Sequence, residues 1–318
     1  MIADAWYMVA EYHLNLGPND TLERLVHHIY NNSDLKPCEK KNVILEHLKT
    51  CKDREVIQKK RTLTYNVPYR LQAPFINMKG TAWNVSERQL IHNINREKHL
   101  IYYFTTLSGM KTAICIQPEW TTYIHNNQEI LKGWLQYNMI LYLQKRNPSV
   151  PGIANKLRPP IERKLDKVQK YWKLLIQMGP IHEIYGDKII TEHDISIDHF
   201  VPWSYVAHDE FWNLHPTTKG INSSKSNHLP DWETYFPKLC RLEYLSYEMM
   251  EKNKAVMETF RKCAADHLND SEITGRIYKK GLSLTQFSRA LEEVIHPVYQ
   301  SAKNCGFQNW VYSSKRTL

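Results

Sequence analysis

The chain has 318 residues, 42% of them hydrophobic, which is enough for one large domain or two to three small ones around a substantial core. Forty-two Lys and Arg against 33 Asp and Glu give a formal charge of +9, which favours a polyanionic partner and leaves nucleic acid and an anionic membrane surface equally open. Three classes are disfavoured: no run approaches the roughly 20 uncharged apolar residues that span a bilayer, MIADAWYMVAEYHL lacks the cationic leader of a signal peptide, and the six cysteines form no C-x-x-C pair. The expectation is a soluble cytoplasmic protein with reduced thiols and no membrane partner.

In chain order, residues 2–14 and 21–31 read as helices. The stretch RTLTYNVPYRLQAPF is β-rich and broken by Pro68 and Pro74, so it reads as one or two short strands or extended loop. A helix from Ser86 to about Thr106 opens on a capping box of Ser86 and Gln89, with Val85 and Leu90 spaced as a hydrophobic staple. Ala113 to Ile116 suits a strand. From Asn127, Ile130, Trp134, Tyr137 and Leu141 recur at helical spacing up to RNPSVP, where the residue before Pro148 leaves the α region.

After that linker, a helix over about 160–178 carries Ile161, Leu165, Val168, Trp172 and Leu175 on one stripe, with Arg163, Lys167 and Lys170 opposite. A solvated basic face is the plain reading, and a nucleic-acid-binding face is the functional one. EIYGDKIITEHDISIDHFVP then suggests paired strands with a turn at Tyr185-Gly186-Asp187, and FWNLHPTT suggests a further short strand. Beyond residue 236 the pattern is helical again, with a second capping box at Ser283 and Gln286 and a kink or stop expected at Pro297.

The chemistry concentrates in SIDHFVPWSYVAHDEFWNLHPTTKGINSSKSNHLP, residues 196–230. Asp198 and His199 close an apolar run, Asn213 follows 14 positions after His199, Asn222 lies 9 beyond Asn213, and Lys225 is one helical turn further. Taken singly these are ordinary: a histidine in an apolar strand is usually a core residue, and Asn222 before Ser-Ser makes a good helix N-cap. Adjacent strand residues also face opposite sides, so Asp198 and His199 need a local twist to converge. His193, His208, His215 and His228 lie nearby, but their spacings fit no closed tetrahedral set.

Together, DHFVPWS, Asn213 and Asn222-Ser-Ser-Lys225-Ser-Asn227-His-Leu-Pro230 resemble the HNH endonucleases, closest to the HNH domains of type II CRISPR RNA-guided nucleases, over roughly residues 182–231. The flanking helices do not resemble those enzymes' other domains, so the chain looks like a stand-alone defence-associated HNH nuclease. The resemblance implies an α+β fold, mainly helical, with a ββα-metal module towards the C-terminal half. The domains would be a mainly helical region with a few short strands over 1–179, the HNH module over 180–235, and a C-terminal helical region over 236–318.

By the same resemblance the function is metal-dependent hydrolysis of phosphodiester bonds in DNA, with double-stranded DNA the expected substrate. Asp198 and Asn222 would ligate Mg²⁺ or Mn²⁺, ions suited to oxygen donors. His199 would be the general base, its ring fixed by a backbone carbonyl such as that of Ile197 or Asn213. Asn213 would pin the loop between the strands, and Lys225, at the start of the metal helix, would contact a phosphate. A companion ATPase or sensor of a defence system is the implied partner. The alternatives are a catalytically idle nucleic-acid-binding or scaffold subunit and an RNA-directed toxin nuclease.

Overall fold

The computed structural model describes residues 1–17, 20–160, 163, 165–269 and 271–313, without the side chains of 65, 66 and 110. The chain divides into two compact units: residues 1–10 with 14–147, and residues 11–13 with 148–318.

The first unit is helical with one small sheet: α1 (Ile2–Trp6), α2 (Thr21–Asn31), α3 (Lys41–Thr50), α4 (Arg54–Arg70), α5 (Glu87–Asn95), β1 (Tyr102–Thr106), β2 (Ala113–Ile116), α6 (Pro118–Asn126) and α7 (Gln128–Arg146). Asp20 caps α2 by accepting from the Leu22 and Glu23 amides, and Asp53 caps α4 through the Val56 amide, so each helix begins where a carboxylate satisfies orphan donors.

α4 corrects the extended reading of RTLTYNVPYR. Pro68 falls in its last turn, where it leaves the Thr64 carbonyl without its amide and the helix ends two residues later, while Tyr69 is buried among Leu90, Tyr102 and Phe104, packing that overrides the β propensity of this stretch. The helix expected from Ser86 to Thr106 ends at Asn95, and YYFTT forms β1, paired antiparallel with β2 through Tyr102↔Ile116 and Phe104↔Ile114. Ser86 does cap α5, but the Gln89 side chain bonds Asn93 instead of closing a box, and Val85 is exposed. Asn95 then stitches α5 to β1, donating to the Phe104 carbonyl at 2.8 Å and accepting from its amide at 3.0 Å.

The second unit holds α8 (Asp166–Met178), β3 (Ile195–His199), α9 (Trp203–Val206), β4 (Leu214–Thr218), α10 (Lys219–Lys225), β5 (Leu229–Pro230), α11 (Trp232–Lys252), α12 (Lys254–His267), α13 (Ser271–Ile277), α14 (Leu284–Asn304) and β6 (Asn309–Trp310). β3 and β4 pair antiparallel with Asp198 opposite His215 and His199 opposite Leu214, and α10 follows β4 directly. α8 packs on α12, and α11 packs on both α12 and α14.

α8 begins at Asp166, later than 160. Val168, Trp172 and Leu175 are buried along it, Leu165 is its N-cap, and Ile161 lies outside the described residues. α14 runs through Pro297 to Asn304 without ending there, with Ile295 and Tyr299 buried on either side of the proline and the Ser283–Gln286 capping box formed at its start. Among the described residues no helix is long and apolar enough to cross a membrane.

Candidate functional site

The site begins with β3. Strand alternation gives Asp198 and His199 different neighbours, and both are buried. Asp198 enters a closed polar cluster: the Tyr185 hydroxyl donates to its Oδ2 at 2.7 Å, and the Lys225 ammonium lies 3.2 Å from both carboxylate oxygens. His215 Nε2, from the facing position on β4, is 3.6 Å from Oδ2 and 3.2 Å from the Tyr185 oxygen.

Burial pushes the Asp198 carboxyl up, but the Lys225 charge, with His215 and the Tyr185 hydrogen bond, outweighs it and holds the group below its ordinary value. Burial lowers Lys225 against the pull of Asp198, and drives His215 down to about 4, so His215 is neutral at physiological pH.

His199 has a separate set of partners. Asp209 Oδ1 lies 2.7 Å from Nε2, and the Arg163 guanidinium lies 3.0 Å from Nδ1 while also covering the Trp203 ring at 5.3 Å. An arginine can only donate, so Nδ1 is the acceptor and Nε2 carries the proton that Asp209 receives. Burial depresses the His199 pKa, the Asp209 hydrogen bond opposes the shift, and the Arg163 charge adds to it; the ring is therefore neutral, with its lone pair on Nδ1. A carboxylate ten residues along the chain fixes this ring, in place of the expected backbone carbonyl.

Asn213 bonds Val201 in both directions, its Oδ1 accepting from the amide at 2.8 Å and its Nδ2 donating to the carbonyl at 2.9 Å, while its own carbonyl accepts from the Phe200 amide. The chain leaving β3 is thereby tied to the start of β4. Asn222 stands inside α10, whose cap is Thr218, and is not the N-cap itself. Its Nδ2 donates to Ser196 Oγ at 2.8 Å and to the Ile197 carbonyl at 3.2 Å, and no described residue donates to its Oδ1.

Lys225 closes α10 at its C-terminal end, not its start, and is fully buried: Nζ donates to the His199 carbonyl at 2.7 Å as well as to Asp198. Ser226 follows at φ 51° and ψ −129°, a backbone conformation that side chains rarely adopt, so the exit from α10 is strained next to the cluster.

Of the three basic residues read as one helix face, Arg163 precedes α8 and is drawn to His199 instead of standing free. Lys167 pairs with Asp266 at 2.6 Å, and Lys170 is exposed.

The residues the motif did not disclose are Asp209, Tyr185 and His215. Tyr185 is set by Glu183, whose carboxylate accepts from the amides of Tyr185, Gly186 and Lys188 at 2.6–3.1 Å. Gly186 is required there because a Cβ would stand 2.7 Å from the Tyr312 ring. His215 could have been found by pairing FWNLHPTT against ISIDH, and Asp209 only as an acid in the connecting loop.

No group of three or more His, Cys, Asp or Glu suited to a metal occurs among the described residues. The chemistry that β3 and α10 bring together is an ionised carboxylate and an amide oxygen without a donor, an all-oxygen set that fits a hard divalent ion; the Lys225 ammonium competes with it for the Asp198 carboxylate.

Residues 182–231 match the family model of the HNH endonucleases, a family that generally hydrolyses nucleic acids. Comparison with curated proteins and with solved structures gave no match.

Proposed function

We propose that the chain is a DNA endonuclease whose β3, β4 and α10 form a ββα-metal module with His199 as general base. What carries this reading is the state of His199: a neutral imidazole held by Asp209 through Nε2, with Nδ1 as its basic atom, inside the segment that matches the HNH endonucleases.

In the proposed reaction a water replaces Arg163 at Nδ1, gives its proton to the imidazole and attacks phosphorus. The bond to the leaving oxygen breaks, and that oxygen takes a proton from solvent. Asp209 stabilises the imidazolium as it forms, and the displaced Arg163 guanidinium is free to pair with the phosphate. Asp198 and Asn222 would hold Mg²⁺ or Mn²⁺, which supplies Lewis-acid stabilisation of charge on the leaving oxygen. By the resemblance to defence-associated HNH nucleases we assign the activity to an antiviral defence system, and because unrestrained cleavage would damage the cell, a companion ATPase or sensor is the expected gate.

Plasmid nicking with Mg²⁺ or Mn²⁺ tests the reading. His199→Ala is expected to lose about 10²- to 10⁴-fold in rate while still binding DNA. Near-wild-type cleavage by that variant rejects the assignment, and preference for RNA in the same assay rejects the DNA substrate.

One observation favours a second reading. Both oxygens of Asp198 are already satisfied by Lys225 and Tyr185, as they would be in a nucleic-acid-binding subunit that has no turnover. DNA binding by the wild type without cleavage under any divalent ion would establish it.

A further inference from the structure

α7 adds little to the core of its own unit. Leu143 is its only buried residue among those described, and the Tyr142 hydroxyl ties the same end to the Leu16 carbonyl. At 100° per residue, Ile130, Trp134, Tyr137 and Leu141 fall on the side away from Leu143, and they are 73%, 62%, 61% and 50% exposed. Leu135, Met139 and Tyr142 are exposed as well, on other sides of the helix. From residue 133 to 144 the sequence GWLQYNMILYLQ carries no charge, in a chain of net charge +9. An uncharged stripe of Trp, Tyr, Ile and Leu has the composition of an interface core, not of a solvated face.

The spacing also has a fixed meaning. Steps of four, three and four residues are the alternating positions of a heptad seam, the pattern by which one helix packs against another like itself. Gly133 stands beside the seam with nothing within 4 Å of where a Cβ would be, so it leaves a hole in the helix surface. In an antiparallel pair centred between Leu135 and Gln136, Ile130 of one copy faces Leu141 of the other and Trp134 faces Tyr137, so the stripe is self-complementary as a two-fold interface requires.

The four seam residues expose on the order of 500 Å² per protomer, and a pair would bury on the order of 1,000 Å², the lower bound for a specific interface; the half-buried Leu131 and Ile140 at its edges add to it. We propose that α7 is a homodimerisation surface and that its occupant is the α7 of a second copy of this chain. The inference stands on α7 alone; should the nuclease reading also hold, a dimer carries the two centres needed to cut both strands of a duplex.

Sedimentation velocity of the full chain, from about 1 to 100 µM, tests it. Wild type is expected to shift from monomer to dimer with a dissociation constant on the order of micromolar. Trp134→Glu should weaken the dimer about 100-fold or more. Gly133→Leu, whose side chain meets nothing inside the protomer, should weaken it while leaving the circular dichroism and melting temperature unchanged or raised. Ile130→Cys combined with Leu141→Cys, positions that face each other across the pair, should give a disulfide-linked dimer on mild oxidation, above the background that the exposed Cys38 and Cys115 set in wild type. A wild type that stays monomeric throughout overturns the proposal and points to another partner for the face. A dimer indifferent to both Trp134→Glu and Gly133→Leu, or chains carrying Ile130→Cys with Leu141→Cys that dimerise without cross-linking, overturns it as well.

Discussion

At the scale of single residues, the decisive contact is Lys225 with Asp198. Both side chains are buried, so neither charge is screened by water, and each makes the other tolerable: the ammonium is satisfied by the carboxylate and the His199 carbonyl, the carboxylate by the ammonium and Tyr185. Removing one partner leaves the other as an uncompensated buried charge. Lys225→Met is therefore expected to cost about 3–5 kcal/mol of stability. The double change Lys225→Met with Asp198→Asn should recover most of that loss, because it removes both charges. Denaturant midpoints of the three proteins measure it; equal destabilisation by the single and the double variants would mean that Lys225 contributes packing and not charge. A phosphate-contacting lysine at the surface would behave otherwise, since its removal would leave the midpoint where it was.

At the scale of elements, α8 and the short 3-10 turn Asn155–Leu157 make different demands on their lysines. On α8, Lys170 is exposed and Lys167 is held only by an exposed pair with Asp266, so both can serve a nucleic acid without cost to the fold. If they contact duplex phosphates, Lys167→Gln and Lys170→Gln should each reduce the slope of log affinity against log salt by about 0.9, as filter binding over a salt series would read. An unchanged slope leaves α8 outside the binding surface. Arg163 belongs to a different experiment, because its removal also frees His199 Nδ1.

Lys156, by contrast, is buried where the 3-10 turn meets α9, donating to the Ser204 and Tyr205 carbonyls and lying over the Tyr12 ring at 5.0 Å. Burial, only partly offset by Glu11, lowers its pKa from 10.5 to about 7. Below pH 7 both folded and unfolded chains hold the proton and the cost of burying the charge is complete. Between 7 and 10.5 the unfolded chain binds more protons than the folded one, so stability rises with pH, by at most about 1.4 kcal/mol per unit from this group. Unfolding free energies at pH 7, 8 and 9 should climb in wild type and flatten in Lys156→Met; parallel profiles would remove Lys156 as the source.

At the scale of the whole molecule, the second unit borrows three residues from the start of the chain. Glu11 accepts from the Ser204 hydroxyl, Tyr12 is buried with its hydroxyl donating to the Arg158 carbonyl at 3.0 Å, and the His13 ring packs 4.4 Å from that of Phe307. Truncating a buried aromatic loses both transfer energy and packing, so Tyr12→Ala in the full chain should cost about 3–5 kcal/mol. Calorimetry is expected to resolve this as a downward shift of the transition belonging to the second unit. A shift confined to the other transition would place Tyr12 in the wrong core.

What could be read from the amino-acid order alone is what depends on short spacings. The Asp-His pair, the two asparagines and the lysine of residues 198–225 are a linear pattern, and that stretch lies within the segment that matches the HNH endonucleases. The caps at Ser86 and Ser283 and the end of α7 before Pro148 are likewise local, because a cap or a proline acts within one turn. Tertiary structure decided whatever depends on neighbours distant in sequence. Asp209 holds His199 because the connecting loop folds back, and Tyr185 reaches Asp198 because Glu183 and Gly186 shape a turn. RTLTYNVPYR is helical where Tyr69 packs among Leu90, Tyr102 and Phe104, and the burial of Lys225 follows from the packing of α10 on β3. The stripe of α7 makes the same point in reverse: Ile130, Trp134, Tyr137 and Leu141 have the spacing of a core face, yet periodicity names only the face, and what covers it is settled by whatever packs against it.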